Sequence, residues 1–500
     1  MMTITEIKNL YSKKKLSAIE LTKDILKRIE DNPYGATLCI NKEASIDQAE
    51  KAQMRLEAGE NGSLLGIPIM HKDVFVTRDW FTTAGSKILK NYKSPFDAEV
   101  VKNLSDKGMV CLGKTSCDEF AMGSANQNCA YGRCSNPWDS KAIPGGSSGG
   151  SAAMVAAGVV PASTGTDTGG SIRQPAAMCG VTGLKPTYGR VSRWGLIAYA
   201  SSLDQAGPIA RSAEDCAILL DGMAGFDKKD STSIGISFES FSECINVPFE
   251  NTSHQKPLNG IKIGLPSEYF SEGIDIKVEN AVRDSIKELE KLGAQIKEIS
   301  LPATKFAVAA YYVIAPAEAS SNLSRFDGVK YGLRSANTKN LNDLYVNTRT
   351  EGFGKEVRRR ILIGTFVLSH GYYEAYYLKA LKVRRLVTLD FENAFENCDL
   401  VVGPTSPTVA WNQEESPKFF GKNNDISGVP SEYLSDIYTV GASLGGFPAI
   451  SIPCGFADFE NTKRPIGLQL IAPKLQEKLV LKCAHIFQKN TDWHTFTPLK

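Results

Sequence analysis

Short apolar runs of strand type alternate with helical patterns along most of this chain, and no other feature restricts its fold as much. The runs are GIPIMH, MVCLG, VVPAS, KIGLP, CDLVVGP, PAISIPCG and PIGLQLIAP. Between them, apolar residues recur at helical spacing. Strands and helices that alternate in this way bury their apolar faces against one another in layers. The sequence therefore predicts an α/β fold whose strands are covered on both faces.

Amphipathic helices can be placed between these runs. Leu16–Asn32 is predicted to be helical, because Ser17 and Glu20 form a capping box and apolar residues follow at helical spacing. Further helices are predicted over Ala98–Lys107 and Ser151–Ala157, near Lys277–Leu292, and over Leu475–Lys489. These helices are the expected covering layers of the sheet.

The chain shows no internal repeat, and we interpret residues 1–500 as one large domain. Within it, an N-terminal helical segment is predicted at 16–60 and a helical excursion at 305–392. The stretches 228–256 and 414–431 are rich in Ser, Asn, Lys and Pro and lack periodicity, which is typical of surface insertions.

Charge and cysteine usage exclude several classes of protein. The 57 basic residues nearly balance the 55 acidic ones, so we expect any RNA contact to be made mainly by a partner. The 11 cysteines are scattered without a CxxC pair, which favours reduced thiols in the cytoplasm. The five histidines are too dispersed to predict a metal site. No apolar stretch has the length of a membrane span.

The segment 143–180 is the densest run of glycine and small hydroxyl residues. A phosphate-binding loop is disfavoured, because Gly150 is followed by Ser151 and not by lysine, and no strand precedes Gly145. GSSGG also matches the GxSxG pattern around a nucleophilic Ser148. That pattern needs a preceding strand and a histidine base, and the sequence predicts neither.

The second glycine cluster, TGTDTGGS, ends in Ser171 directly after two glycines. Backbone N–H groups in such a turn can converge on one point and stabilise an oxyanion. A serine nucleophile still requires a base, and Lys72 is a candidate because it ends the apolar run Gly66–His71 and is expected to be buried. Position alone leaves open whether Lys72 is a base or half of a structural salt bridge.

The ordered strings GGSSGGSAA and TGTDTGGSIRQPAAMCGVTGLKPTYGRVS resemble the amidase-signature enzymes. That family implies a large central mixed β-sheet covered by helices, and catalysis by two serines and a lysine, one serine being held by a cis peptide. Residue by residue, Ser171 resembles the nucleophile, Ser147 the bridging serine and Lys72 the base. The oxyanion hole implied by the resemblance consists of the N–H groups of Thr168, Gly169, Gly170 and Ser171.

This resemblance implies a proton relay. Neutral Lys72 takes a proton from Ser147, which takes one from Ser171 as it attacks an amide carbonyl. We therefore expect activity to fall on the acid side as Lys72 becomes protonated. Ser148, Ser151 and the threonines are expected to support the two active serines by hydrogen bonding.

Strings over nearly the whole chain are similar to one branch of that family, the A subunits of aspartyl/glutamyl-tRNA amidotransferases. They include DEFAMGSANQNCAYG, RVSRWGLIAYASSLDQAGPIARSAED and EGFGKEVRRRILIGTFVLSHGYYEAYYLKA. The branch implies a glutaminase that passes ammonia to a B subunit, which uses ATP and Mg²⁺ on Glu-tRNA(Gln), with a small C subunit completing a heterotrimer. No cofactor is expected in this chain. Whether Asp-tRNA(Asn) is also an acceptor depends on the partner.

The same strings imply a pocket for glutamine. Arg360 resembles the partner of the α-carboxylate and Asp436 that of the α-ammonium, a pairing that suits a zwitterion. The remaining lining residues implied are Tyr311, Met122 and Ser124. Arg360 follows two further arginines, so it is alternatively a solvated residue of a basic helix, and Tyr311 is alternatively a core aromatic.

Three functions stay open from sequence. They are a glutaminase subunit, a free-standing amidase of small or hydrophobic amides, and an inactive scaffold with the same fold; the presence of Lys72, Ser147 and Ser171 disfavours the last. The string Asn126–Cys129 is less acidic and less rich in hydroxyls than its counterparts in the resembling family, and the segment Trp411–Ser431 is longer than expected.

Overall fold

The computed structural model describes residues 2–250, 252–270, 273–415, 431–459 and 462–498. A single sheet of 11 strands runs through this part of the chain. The strands are β1 (Thr37–Ile40), β2 (Pro68–Lys72), β3 (Val110–Thr115), β4 (Ala162–Asp167), β5 (Thr182–Lys185), β6 (Gln205–Ala210), β7 (Lys262–Pro266), β8 (Gln295–Ile299), β9 (Leu400–Pro404), β10 (Ala449–Phe459) and β11 (Thr462–Ile471).

The strand order is β1-β3-β2-β4-β6-β5-β10-β11-β9-β7-β8. Strands β3, β2 and β4 are parallel, as are β9, β7 and β8, while the remaining neighbours pair antiparallel. The mixed sheet expected from the sequence is thus confirmed.

Helices complete the α/β fold. They are α1 (Ile4–Ser12), α2 (Ala18–Glu30), α3 (Lys42–Glu57), α4 (Glu99–Asp106), α5 (Gly149–Ala156), α6 (Arg173–Cys179), α7 (Ala213–Met223), α8 (Phe241–Cys244), α9 (Ile276–Lys291), α10 (Ala307–Asn322), α11 (Leu341–Gly352), α12 (Lys355–Val367), α13 (Lys379–Ala394), α14 (Val440–Gly445) and α15 (Glu477–Lys489). Between β8 and β9 the described chain contains helices and turns but no strand.

The middle of the sheet is completely buried, and it positions the functional residues. Every residue of β2, β4 and β6 is buried, so the apolar runs are covered on both faces. Helices α5 and α6 are also buried all round, and their small residues let them pack close to β4 and β5. Because β2 and β4 are parallel, their carboxyl ends meet at one edge of the sheet.

Most predicted elements are confirmed within a few residues. The capping box of Ser17 and Glu20 opens α2, β7 coincides with KIGLP, and α15 covers most of the predicted last helix. Four strands are missing from the prediction: β1, β5, β6 and β8. β1 and β8 are partly exposed edge strands, and β6 contains Gly207 and Pro208, which weaken a strand pattern.

Two further findings concern the described residues as a whole. None of their helices combines the length and apolarity that crossing a membrane requires. No group of three or more His, Cys, Asp or Glu side chains among them is placed to hold a metal ion. Most of the predicted insertion 414–431 lies outside the described residues.

Candidate active site

Two serine-bearing turns meet at the edge of the sheet where β2 and β4 end. Ser147 lies just before α5 and Ser171 just before α6. The N–H of Ser148 donates to the carbonyl oxygen of Ser171 at 3.2 Å, which ties the two turns together. The peptide bond between Gly146 and Ser147 is cis.

Lys72 contacts the first of these serines. It is the last residue of β2 and is fully buried, as its position in the sequence predicted. Its Nζ donates to Ser147 Oγ at 2.7 Å and to Thr166 Oγ1 at 2.8 Å. Burial lowers the pKa of Lys72 to about 8, although nearby acidic groups, Asp118 among them, oppose the shift. No carboxylate lies within salt-bridge distance of Lys72 in the described residues, so the structural ion-pair alternative is wrong.

Ser171 is poised differently from Ser147. The residue is 8% exposed, and its Oγ has no hydrogen-bond partner among the described residues. The direct Ser147–Ser171 hydrogen bond of the expected relay is therefore not formed in this structure. Ser171 is the one of the two hydroxyls that is open to an incoming carbonyl, while Ser147 is engaged by the lysine.

The turn 168–171 offers unoccupied backbone donors. The N–H groups of Gly169, Gly170 and Ser171 donate to no acceptor in the described chain. Neither glycine has a positive φ, and it is the space around each that excludes a side chain. A Cβ at Gly169 would lie 2.8 Å from Tyr311 Cζ, and one at Gly170 would lie 2.3 Å from Thr439 Oγ1.

A buried ion pair anchors this turn to the sheet. Arg173 Nε and Nη2 donate to the two oxygens of Asp167 at 2.9 Å each, and both residues are completely buried. Arg173 Nη1 also donates to Gln469 Oε1 on β11 at 2.7 Å. The Asp167 carboxylate in turn accepts from the N–H of Ile172, at the start of α6. The donors of the turn are thereby held by groups on three elements.

Asp436 lies beside the same turn. Its Oδ2 accepts from Ser124 Oγ at 2.9 Å, whereas its Oδ1 is buried and has no hydrogen-bond partner in the described residues. A Cβ at Gly170 would lie 3.0 Å from that free oxygen. Burial raises the pKa of Asp436 to about 7. A cation that reached Oδ1 would satisfy the oxygen and favour its charged form.

Arg360 is buried, so its interpretation as a solvated helix residue is wrong. It is 3% exposed, while Arg358 and Arg359 of the same run are exposed. Its Nε donates to Glu356 Oε1 and its Nη1 to Tyr199 Oη, both at 2.7 Å. The Nη2 group has no acceptor among the described residues. The Nε and Nη1 groups of Arg360 are thus fixed by hydrogen bonds, and its Nη2 group is free to bind a ligand.

The other predicted lining residues lie near these groups. Tyr311 is buried and packs over Gly169, so it lines the turn and is more than a core aromatic. Met122 is buried, and its carbonyl oxygen accepts from Asn128 Nδ2 at 3.3 Å. A cavity of about 220 Å³ opens next to the site and is lined by Ser124 and Arg360, among others. The structure therefore gathers the predicted residues in one region.

Thr166, one of the threonines expected to support the site, provides the second hydrogen bond to Lys72. Two other supporting residues escaped the sequence argument. Gln174 accepts from the N–H of Gly146 at 2.9 Å and donates to the carbonyl of Ser124 at 2.8 Å. Asp118 accepts from the N–H groups of Asn126 and Asn128. Gln174 joins loops that are distant in sequence, whereas Asp118 closes a local loop. The only available signal for both was their presence in the strings that carry the resemblance.

The pattern GxSxG around Ser148 is not a nucleophile elbow. Ser148 Oγ is buried and donates to the carbonyl of Thr166 at 3.2 Å, with no histidine among its partners. Ser151 likewise donates to the carbonyl of Thr164 at 2.9 Å. These hydroxyls support the site by hydrogen bonding, as expected. The unusual Asn126 and Asn128 do so through their backbone, because both bind Asp118.

Together these groups form the parts of a serine-dependent acyl-transfer site. A buried amine of lowered pKa contacts one hydroxyl, a second hydroxyl is open, and free N–H groups flank it. A free carboxylate oxygen on Asp436 and an open guanidinium edge on Arg360 complete the surroundings.

Several known proteins are similar to this chain in sequence and structure. The model of the Amidase family matches residues 20–481. The A subunit of glutamyl-tRNA(Gln) amidotransferase from Herminiimonas arsenicoxydans is 55% identical over 497 residues, which is 99% of each chain. The crystal structure of the corresponding A subunit from Thermotoga maritima is 38% identical, with a TM-score of 0.76 over 100% of this chain and 97% of that one. Native peptide amidase from Stenotrophomonas maltophilia is 27% identical, with a TM-score of 0.80 over 98% and 97% of the two chains.

Proposed function

Because this chain belongs to the amidase family, we propose that it is the glutamine-hydrolysing A subunit of a tRNA-dependent amidotransferase. Its identity to curated A subunits over 99% of both chains supports this choice within the family. The site contributes independent support, since it combines an amide-cleaving arrangement with two charged groups suited to an amino acid.

The reaction begins with neutral Lys72. Its Nζ takes the proton of Ser147 Oγ, which then accepts the proton of Ser171 Oγ as that oxygen bonds to the amide carbon of glutamine. A rotation of the Ser171 side chain is needed to bring the two hydroxyls together. The negative carbonyl oxygen is stabilised by the N–H groups of Gly169, Gly170 and Ser171, with Thr168 beside them.

Collapse of the tetrahedral intermediate breaks the carbon–nitrogen bond. The proton held by Lys72 returns through Ser147 to the leaving nitrogen, which departs as ammonia and leaves a glutamyl ester on Ser171. Water then attacks the ester, with the same relay accepting its proton and returning one to Ser171 Oγ. Glutamate leaves, and the site is restored.

Glutamine is held by its zwitterionic end. The open Nη2 edge of Arg360 suits the α-carboxylate, and the free Oδ1 of Asp436 suits the α-ammonium. Tyr311, Ser124 and the backbone near Met122 line the path between them and the reactive serine. A neutral or hydrophobic amide would leave both charged groups unsatisfied, which disfavours a free-standing amidase of such substrates.

The ammonia serves a second reaction on a partner. We propose a cytoplasmic heterotrimer in which the B subunit uses ATP and Mg²⁺ to activate Glu-tRNA(Gln), or also Asp-tRNA(Asn), and the C subunit completes the assembly. This chain contributes the glutaminase and contacts tRNA mainly through its partner. Its nearly balanced charge, 57 basic against 55 acidic residues, agrees with that division.

The observation that carries the proposal is the buried Lys72 amine, bound to Ser147 at 2.7 Å with its pKa lowered to about 8. The test is ammonia release from glutamine by the purified chain, alone and with B, C, ATP and Glu-tRNA(Gln). We expect release in the assembled complex, and a loss of at least about 10³-fold in Lys72→Met and Ser171→Ala. Release of ammonia from apolar amides, but not from glutamine, identifies the free-standing amidase instead.

A matched control comes from the neighbouring Ser148, whose hydroxyl supports the backbone and is not part of the relay. Ser148→Ala should retain most activity, and its folding is checked by circular dichroism. A complex of normal assembly in which none of these substrates is hydrolysed points to the inactive scaffold.

A further inference from the structure

One buried carboxylate outside the proposed catalytic set touches both halves of the site. Asp204 precedes β6, in the string SSLDQAGP. Its Oδ1 accepts from Thr168 Oγ1 at 2.8 Å and from the N–H of Ala200 at 3.1 Å, and its Oδ2 accepts from the N–H of Tyr199 at 2.8 Å. Neither the relay nor the glutamine contacts described above use Asp204.

On one side, these contacts reach the oxyanion turn. Thr168 is the first residue of the turn whose N–H groups face the reacting carbonyl, and its hydroxyl is held by Asp204. The Arg173–Asp167 pair supports the turn beyond Ser171, whereas Thr168 supports its start, since the two residues that follow Thr168 are glycines without side chains. A shift of the Thr168 side chain would therefore move the donors.

On the other side, the contacts reach the substrate arginine. Tyr199 is buried, and its Oη accepts from Arg360 Nη1 at 2.7 Å. Its ring also lies under the guanidinium, at 5.5 Å from centroid to carbon. The backbone of Tyr199 is fixed by Asp204, so the carboxylate sets the position of the ring that orients Arg360.

We propose that Asp204 is a positioning residue that holds the oxyanion turn and the carboxylate-binding Arg360 in register through Thr168 and Tyr199. This rests on the proposed function, because it assigns a role in glutamine hydrolysis. Asp204 has no ion-pair partner among the described residues, and its two oxygens are held by hydrogen-bond donors. Burial accordingly raises the pKa of Asp204 to about 6.

The test is a set of conservative variants assayed for kcat and KM with glutamine in the assembled complex. Asp204→Asn keeps the size but turns one acceptor oxygen into a donor, so Thr168 or Tyr199 loses its partner. We expect kcat to fall about 10- to 100-fold, since small misplacements of catalytic groups have effects of this size. Thr168→Val should mainly lower kcat, and Tyr199→Phe should mainly raise KM.

Energetic coupling between Thr168 and Tyr199 distinguishes a positioning role of Asp204 from a general effect on stability. Thr168→Val and Tyr199→Phe should be non-additive in kcat/KM when Asp204 is present and additive in the Asp204→Asn background. Asp221→Asn is the matched control, because Asp221 is a buried carboxylate that accepts from the N–H of Phe241 away from the site. It should change the midpoint of thermal unfolding but neither kinetic constant.

The proposal is overturned if folded Asp204→Asn keeps kcat and KM within about twofold of the parent, or if the two substitutions are additive in both backgrounds. If Asp204→Asn does not fold, Thr168→Ser and Thr168→Val provide the test. Activity that is retained by Thr168→Ser and lost in Thr168→Val supports the role of Asp204, and equal activity of the two variants refutes it. A parent complex without glutaminase activity refutes the proposed function itself, which separates the two failures.

Discussion

At the scale of single residues, the protonation states of the site's ionisable groups depend on their burial. Lys72 is buried without a carboxylate partner, so its neutral form is favoured where a solvated lysine would be protonated. Asp436 is buried with one oxygen free, so its protonated form is favoured until a cation arrives. Burial thus favours the neutral form of both groups. Because the proposed reaction needs a neutral Lys72 and an ionised Asp436, both ionisations should appear in the pH dependence.

We expect two ionisations in the pH dependence of glutamine hydrolysis. With substrate bound, kcat should fall about tenfold per unit below pH 8, because only Lys72 must then lose its proton. For the free enzyme, kcat/KM should fall about 100-fold per unit below pH 7, where Asp436 also becomes protonated. Steady-state kinetics between pH 5.5 and about 9.5 measure both limbs.

Asp436→Asn is the control for the steeper fall of kcat/KM below pH 7. The variant should lose the second ionisation and retain the first, with a raised KM for glutamine. Glutaramate, which lacks the α-ammonium, should be hydrolysed equally by parent and variant. A kcat that stays flat from pH 8 to 6 would contradict the lysine base.

How far these residues can be predicted depends on the kind of contact. Ser147 and Ser171 follow from ordered strings and Lys72 from its place at the end of an apolar run, because in each case the chemistry is tied to the local sequence. Gln174 and Asp204 do not, since their partners lie 28 and 36 residues away. The free oxygen of Asp436 is beyond any sequence argument, because it follows from what the folded chain does not bring near it.

At the scale of elements, the oxyanion turn is fixed by the start of α6. Arg173 of that helix binds Asp167 at the end of β4 and Gln469 on β11, so three elements share one guanidinium. Apolar runs predicted β7 and β9 well, yet β5 and β6, which complete this region, were missed. Both strands are short and contain glycine or other small residues, so it is their pairing, of β6 with β4 and of β5 with β10, that makes them strands.

Breaking this ion pair should unfold the region. Arg173→Met leaves the carboxylate of Asp167 buried without a cation and should lower the free energy of unfolding by about 3–5 kcal/mol. Denaturant titration measures this change in the free energy of unfolding. The double variant Asp167→Asn/Arg173→Met should recover part of the loss, because no charge is left buried.

A surface pair provides the comparison. Lys102 and Asp106 form an ion pair at 2.7 Å on α4, but both side chains are more than half exposed. Lys102→Met should change the free energy of unfolding by less than about 1 kcal/mol. Equal losses in the buried and exposed variants would refute the structural role assigned to Arg173.

At the scale of the whole molecule, the site is assembled from nearly the full length of the chain. Lys72 comes from the second strand, Ser171 from the turn after the fourth, Arg360 from α12 and Asp436 from the segment before α14. These residues span 72–436, and all lie within the family match over residues 20–481. Elements from much of the chain thus build one small reaction centre, and under the proposed function tRNA recognition belongs to the other subunits.

The low net charge of this chain leads to a testable prediction about which subunit binds tRNA. Proteins that bind nucleic acid through phosphates carry a basic excess, and this chain has a formal net charge of +2 in 500 residues. We expect the isolated chain to bind Glu-tRNA(Gln) no more tightly than about 10⁻⁵ M at physiological salt, within the range of non-specific contacts. The complete complex should bind far more tightly. Mobility-shift titrations at several salt concentrations compare the two, and binding by the isolated chain that matches the complex would place tRNA recognition here.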